Sequence, residues 1–331
     1  MIDLIPNENK IMTIQYLTSV NDTNKEKVLL LIEASLQAYN AFNDKHPIQF
    51  QKKCVTPPSK EYEIVDYWTG IDSLFNKDKT EEVYGVIFRT IQAPYKYIFA
   101  FRGTASLFDI LDDLGSEFSH FVAYDKGVII DKDVKVESGF FDIYTESNQQ
   151  VQSMQTQLFG FMDKYQASDK PIDELLITGH SLGSSLCELF TLDVALSRPG
   201  INTSNINFAC PRTGNKYFAG LYDSQLAQKS LQTKTLRVQN TYDKVPCVPL
   251  QEMGYIHTNF ALLVAFYKDS WYGKADLLAC HSALNYQAVL QCASNNTDGV
   301  CVNGDLPVPG NGDDYAVKSK KPDETSVCSL W

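Results

Sequence analysis

The sequence lacks a surplus of positive charge: 29 lysines and arginines face 40 aspartates and glutamates, a formal net charge of −11. General attraction to nucleic-acid phosphates or anionic headgroups is therefore no basis for its function, and any contact with lipid has to be apolar. Long apolar runs are missing too. The longest, FALLVAF at 260–266, is far shorter than the ~20 residues a membrane-spanning helix needs. The opening MIDLIPNENKIMTIQYL has no basic stretch leading into an apolar core, so no signal peptide is read there, although a processed mature chain would look the same. No internal repeat occurs. No D-x-[DN]-x-[DN]-G spacing occurs among Asp109, Asp112, Asp113 and Glu117 or in the NGDD tail, so neither a metal nor a cofactor is expected.

What is present is the composition of a globular protein: 331 residues, 44% hydrophobic and 21% charged, enough to bury a sizeable core. The tail from 294 onward, rich in Asn, Gly, Asp and Pro, reads as loop. Eight cysteines are more than a cytosolic enzyme needs, and Cys280, Cys292, Cys301 and Cys328 crowd the C-terminal part. With the sequons at Asn21, Asn202 and Asn295 they favour a secretory route with disulfides, a reduced cytoplasmic protein being the alternative. Their pairing does not follow from the sequence, nor does the oligomeric state.

KEKVLLLIEASLQAYNAF (25–42) has helical apolar spacing with no Gly or Pro. Strand-type runs follow near 62–70, 83–90 and 95–104, the last two joined by the short turn IQAP as a hairpin. Helical spacing returns at 107–121, where Leu107, Leu111, Leu114, Phe118 and Phe121 step by four and three. A helix is predicted over 141–166, a strand at 175–179, a helix from 183 to about 197, and strands running into turns at 206–215 and 235–246. Alternating strands and helices from 140 onward predict an α/β fold with a largely parallel central sheet.

Gly179-His180-Ser181-Leu182-Gly183 fits G-x-S-x-G directly after a predicted strand and at the start of a predicted helix. A serine on so sharp a turn is strained, and the flanking glycines let strand and helix approach. The helix N-terminus behind it suits the negative charge that develops when an acyl carbonyl is attacked. A serine needs an imidazole to take its proton and a carboxylate to orient the imidazole. His46 and His120 precede the serine and His180 adjoins it with its side chain turned away. The order Ser, acid, His leaves His257 and His281. Asp243, after the strand LRVQN and before Pro246, is the best-placed acid, ahead of Asp193 inside a helix and Asp223 in a YDS loop.

With these residues in place, the chain resembles the class 3 lipases, the α/β-hydrolase family that includes fungal triacylglycerol lipases and feruloyl esterases. The resemblance rests on LLITGHSLGS, FRGT at 101–104, VESGFFDIY at 136–144, FACPRTGN at 208–215 and NTYDKVPCVP, and it covers roughly 80–290. It implies one α/β-hydrolase domain over 1–331: an N-terminal helical, bracing region to 75, a catalytic core at 80–290, and a loop-rich, cysteine-containing tail from 294. Ser181 would be the nucleophile and Asp243 the acid. GYIH at 254–257 resembles a segment with a non-catalytic histidine, and CHSALNY at 280–286 the later segment with the catalytic one. His281 is thus expected as the base, with His257 as the alternative. The residue before His281 is Cys280, where the family commonly has aspartate. The amides of Thr104 and Leu182 would form the oxyanion hole, with Arg102 packing or pairing structurally.

The same resemblance places a mobile lid at the stripe that begins after Thr104, so Leu107, Phe108, Leu111, Leu114 and Phe118 are expected to cover the serine and contact substrate. An ordinary surface helix packed on the core would show the same periodicity. The expected activity is that of a serine esterase acting on a lipid or other ester at a lipid–water interface, most simply a triacylglycerol lipase. Phospholipase A1 and a feruloyl-type esterase are alternatives, and a non-catalytic hydrolase-like binding protein is the reading from another class.

Overall fold

The computed structural model describes residues 22–43, 55–71, 81–104, 117–227, 235–258, 261–268, 276–297, 299–302 and 317–322. In chain order its strands are β1 (Tyr62–Ile71), β2 (Glu81–Thr90), β3 (Lys96–Phe101), β4 (Phe118–His120), β5 (Lys135–Glu137), β6 (Glu174–His180), β7 (Thr203–Phe208), β8 (Gly214–Asn215), β9 (Thr235–Asn240), β10 (Tyr255–Ile256), β11 (Ala261–Val264), β12 (Phe266–Tyr267) and β13 (Lys318–Ser319). The α-helices are α1 (Asp22–Asn43), α2 (Ser138–Thr145), α3 (Met154–Gln166), α4 (Leu182–Ser197), α5 (Lys216–Ala227), α6 (Leu277–His281) and α7 (Ala283–Asn295).

One sheet organises the molecule, in the order β1-β2-β3-β6-β7-β9-β11. Its first three strands pair antiparallel, β2 and β3 as the expected hairpin, and every later pair is parallel. The central strands are apolar along their length because helices cover both faces. In β3 the period of two is visible in the packing. Tyr97, Phe99 and Phe101 enter the core shared with α2, α3 and α4, whereas Ile98 and Ala100 enter the core shared with α1 and α7. Each large apolar side chain removed from water in these layers contributes about 1.5–3 kcal/mol.

Helix α1 brings Val28, Leu31 and Ile32 to the second core, with small residues Ala34, Ser35 and Ala38 between sheet and helix. The Ser35 hydroxyl lies 3.0 Å from that of Thr178 in β6, so the last turns of α1 run over the C-terminal end of that strand. A smaller sheet has the order β10-β8-β5-β4, and β12 pairs with β13 near the C-terminus. A disulfide joins Cys292 in α7 to Cys301; Cys247 is also disulfide-bonded, while Cys187, Cys210 and Cys280 are free and buried. Among the described residues no helix is long and apolar enough to cross a membrane.

Three expectations need correction. The helix expected over 141–166 is two helices, because Asn148 Oδ1 accepts the amides of Gln150 and Val151 and Ser153 caps α3 by accepting from Thr156 N at 3.1 Å. Helical spacing does not carry through Phe118, which belongs to strand β4 and stacks on Tyr255 at 4.2 Å between ring centroids. Asp223 lies in α5 and not in a loop. Leu107, Phe108, Leu111 and Leu114 lie outside the described residues.

Candidate active site

Strand β6 ends at His180 and α4 begins at Leu182, leaving Ser181 alone on the turn between them. Its backbone has φ 61° and ψ −133°, a region that side chains other than glycine's rarely occupy. The strain is held from both sides. A Cβ at Gly179 would come 2.6 Å from the Gly183 carbonyl oxygen, and one at Gly183 would come 2.6 Å from the carbonyl of Arg102. Ser184 then locks the first helical turn by hydrogen bonding the carbonyls of Gly179 and Phe208 at 2.8 and 2.7 Å.

The chain brings an aspartate from the turn after β9 and a histidine from α6 to this serine. His281 Nε2 lies 2.8 Å from Ser181 Oγ, and His281 Nδ1 lies 2.8 Å from Asp243 Oδ2. A carboxylate only accepts, so the Nδ1–H donates to Asp243 and leaves Nε2 to accept from the serine hydroxyl. All three residues are buried, at 1%, 8% and 3% exposure for Ser181, His281 and Asp243, so these bonds form where water competes little. His281 ends a short helix that starts on Asp276, whose carboxylate accepts from the amides of Leu278 and Ala279.

Asp243 is itself held. The Tyr286 hydroxyl donates to Oδ2 at 2.9 Å and the amide of Val245 to Oδ1 at 3.0 Å. Tyr286 in turn accepts from the amide of Asn240 at 2.8 Å. The Asn240 side chain donates to the carbonyls of Phe266 and Cys280, both at 2.9 Å, and accepts from the amides of Tyr242 and Phe266. One residue thus joins the acid turn, the start of β12 and the helix that carries His281.

Thr104 follows β3 and Gly103, and Leu182 follows the serine. Gly103 is pressed against the serine turn: a Cβ there would meet His180 O at 2.6 Å and Ser181 Cβ at 2.8 Å. Arg102 anchors this turn from below. Its guanidinium is buried between the rings of Phe42 and Tyr84, pairs with Glu82, and donates to the Gly103 carbonyl at 2.9 Å.

The other candidates are placed elsewhere. His257 Nε2–H donates to the carbonyl of Pro246 at 2.7 Å, and burial together with the charges of Arg237 and Arg212 holds its pKa well below the usual value. Its ring is engaged behind the acid turn. Asp193 is buried among Tyr144, Gln155, Ser197 and the amide of Tyr124, a bonding pattern that fixes α4 against its neighbours. His120 is exposed in β4. Two contacts carry no signal in the sequence: Tyr39 of α1 lies 2.8 Å from His180 Nδ1, and His180 Nε2 lies 2.8 Å from the His281 carbonyl. His180 is turned away from the serine's reacting face, but it is not idle. Asn240 likewise reads as an ordinary strand end until its partners are seen.

The pattern of a protein family, Lipase (class 3), matches residues 98–253, just under half of the chain. A chloroplastic phospholipase A1-Ialpha2 of Arabidopsis thaliana is 34% identical over 155 residues, covering 42% of this chain and 29% of that protein. A secreted mono- and diacylglycerol lipase of Malassezia globosa is 32% identical over 141 residues, covering 42% of each. The chain thus spans well under half the length of these sequence relatives. Among solved structures, the Lip2 lipase of Yarrowia lipolytica superposes with a TM-score of 0.58 at 18% identity, over 84% of this chain and 89% of that one. A lipase from Rhizopus microsporus gives 0.54 at 22% identity, over 82% and 83%. Residues 98–253, which hold Ser181 and Asp243, match the class 3 lipase family, and the fold is that of the α/β-hydrolases.

Proposed function

We propose that this protein is a serine carboxylic-ester hydrolase of the lipase type, acting through an acyl-enzyme. The observation that carries the reading is the buried line Ser181 Oγ, His281 Nε2, His281 Nδ1, Asp243 Oδ2, with both contacts at 2.8 Å. Ser181 attacks the ester carbonyl as His281 takes its proton, and Asp243 holds the imidazole and balances the imidazolium. The amides of Leu182 and Thr104 donate to the oxyanion, each worth about 3 kcal/mol of barrier. His281 returns the proton to the departing alcohol. Water then adds to the acyl carbon as it gives its proton to the same nitrogen, and the acid leaves as His281 returns that proton to Ser181 Oγ.

On this reading 1–331 is one hydrolase domain, supported by the single sheet that runs from β1 to β11 and by α1, which packs across it beside α7. Acylglycerols are the proposed substrates. Phospholipase A1 activity is the second reading, favoured by the relative of that name. The Cys292–Cys301 disulfide supports an oxidising compartment, and hence the secretory route.

Hydrolysis of p-nitrophenyl esters from acetate to palmitate, below and above their aggregation limits, tests the proposal beside Ser181→Ala. Activity on long aggregated esters that vanishes in the variant is expected. A preference for short soluble esters would move the reading to a feruloyl-type or general esterase, and equal activity in both proteins would overturn the serine mechanism.

A further inference from the structure

Two side chains that touch no reacting atom stand between the N-terminal helix and the base. A carbonyl oxygen only accepts, so the 2.8 Å contact between His180 Nε2 and the His281 carbonyl requires a proton on Nε2. The ring is 3% exposed, and burial together with the neighbouring His281 holds its pKa well below the usual value, so it is neutral. A neutral ring with its proton on Nε2 has a bare Nδ1. The Tyr39 hydroxyl, 2.8 Å away, must therefore donate to it. The phenol oxygen also lies against Gly103, where any Cβ would collide with it. The proton positions are thus fixed in one direction, Tyr39 O–H to His180 Nδ1 and His180 Nε2–H to the carbonyl of His281, with the Tyr39 oxygen packed against Gly103.

We propose that Tyr39 and His180 form a directional hydrogen-bond relay that holds the backbone of the base from the N-terminal helix and keeps it in register with the turn before Thr104. This rests on the hydrolase reading of Ser181 and His281. The two ends of the relay are the residue preceding the proposed oxyanion donor and the proposed base itself. Both must stay within a fraction of an ångström of the serine for reaction. The His180 ring also lies against that of His281, with centroids 4.6 Å apart, and against Tyr286 at 5.9 Å. A charged ring there would repel the imidazolium formed in the reaction. By donating a hydrogen bond to the bare Nδ1, Tyr39 satisfies His180 as a neutral ring at the moment its neighbour becomes charged. Tyr39 and His180 are positioning residues: they act through His281 and Gly103.

Tyr39→Phe in the full chain removes one hydroxyl and no volume from the helix. The expected result is a fall in kcat of about 10- to 100-fold with KM held within about twofold and little change in Tm. His180→Gln, whose amide nitrogen reaches the position of Nε2, should keep more activity than His180→Ala. Nitrogen-15 NMR of the histidine rings in the unaltered protein should place the His180 proton on Nε2 and find it pH-independent from about pH 5 to about pH 9. A proton on Nδ1, or Tyr39→Phe with unaltered kcat, would overturn the relay. Labelling of Ser181 by a fluorophosphonate separates this from the hydrolase reading. If the serine is not labelled, that reading fails, and the ring tautomer alone decides whether the relay exists.

Discussion

Asp243→Asn should be the most informative single substitution, because the geometry dictates which way the new amide sits. The Val245 amide donates to Oδ1, so an NH2 group there would set donor against donor. The amide oxygen therefore takes the Oδ1 position and the NH2 takes that of Oδ2, facing His281 Nδ1 and the Tyr286 hydroxyl. Tyr286 can accept in place of donating. His281 must then also accept at Nδ1, which moves its proton to Nε2 and points an N–H at Ser181. The fold is kept and the base is gone. A wrong tautomer of this kind costs about 10,000-fold in kcat, or ~5.5 kcal/mol. Loss of one buried hydrogen bond, at ~1–3 kcal/mol, corresponds to at most ~150-fold, so the two explanations separate cleanly. Steady-state hydrolysis of p-nitrophenyl butyrate gives the number, and ring NMR of the variant gives the tautomer. A loss below about tenfold, or a proton still on Nδ1, would refute the reasoning.

Glu137 caps α2 by accepting from the amide of Phe140 at 2.8 Å, yet burial raises its pKa from 4.5 to about 7 against that bond. Between those values the folded chain holds a proton that the unfolded chain has released. The stabilising contribution is complete below about pH 4.5 and disappears as pH rises through about 7. Glu137→Gln should abolish this decline and gain up to about 3 kcal/mol on the parent near pH 8, read by urea unfolding on either side of the window. Parallel pH profiles would refute it. Gly183→Ala places a Cβ 2.6 Å from the Arg102 carbonyl, about 0.8 Å inside ordinary contact, and should push the turn before Thr104 away from the serine. A fall of about 100-fold in kcat is expected, and unchanged kinetics would show that the turn can yield without consequence.

The sheet and the serine turn were legible because each rests on local chemistry. Apolar runs such as KYIFAF have no other use than burial on two faces, and a serine between glycines at a strand end has few reasons to be there. That Ser181, Asp243 and His281 could meet was readable for the same cause, since a fixed sheet order allows a proposed acid and base few places. Choosing His281 over His257 took the family resemblance. The break between α2 and α3 could have been read: Ser153 is a capping residue and ESNQQ before it offers turn formers. Tyr39 and His180 could not, because one is an aromatic residue in an apolar helix and the other a neighbour of the serine, 141 positions apart. Phe118 was misread because the periodicity of a stripe does not mark where a strand takes over.

Asn240 has a consequence for how this sequence can change. Its backbone amide and both ends of its side chain are spent, on Tyr286, on the carbonyls of Phe266 and Cys280, and on the amides of Tyr242 and Phe266. Aspartate would lose both donors, serine and threonine fall short, and glutamine carries the same groups one carbon too far. No other residue lies within a tolerable step. Drift along the acid turn has to pass around this position, and an asparagine two strands removed from the serine should persist where flanking residues wander.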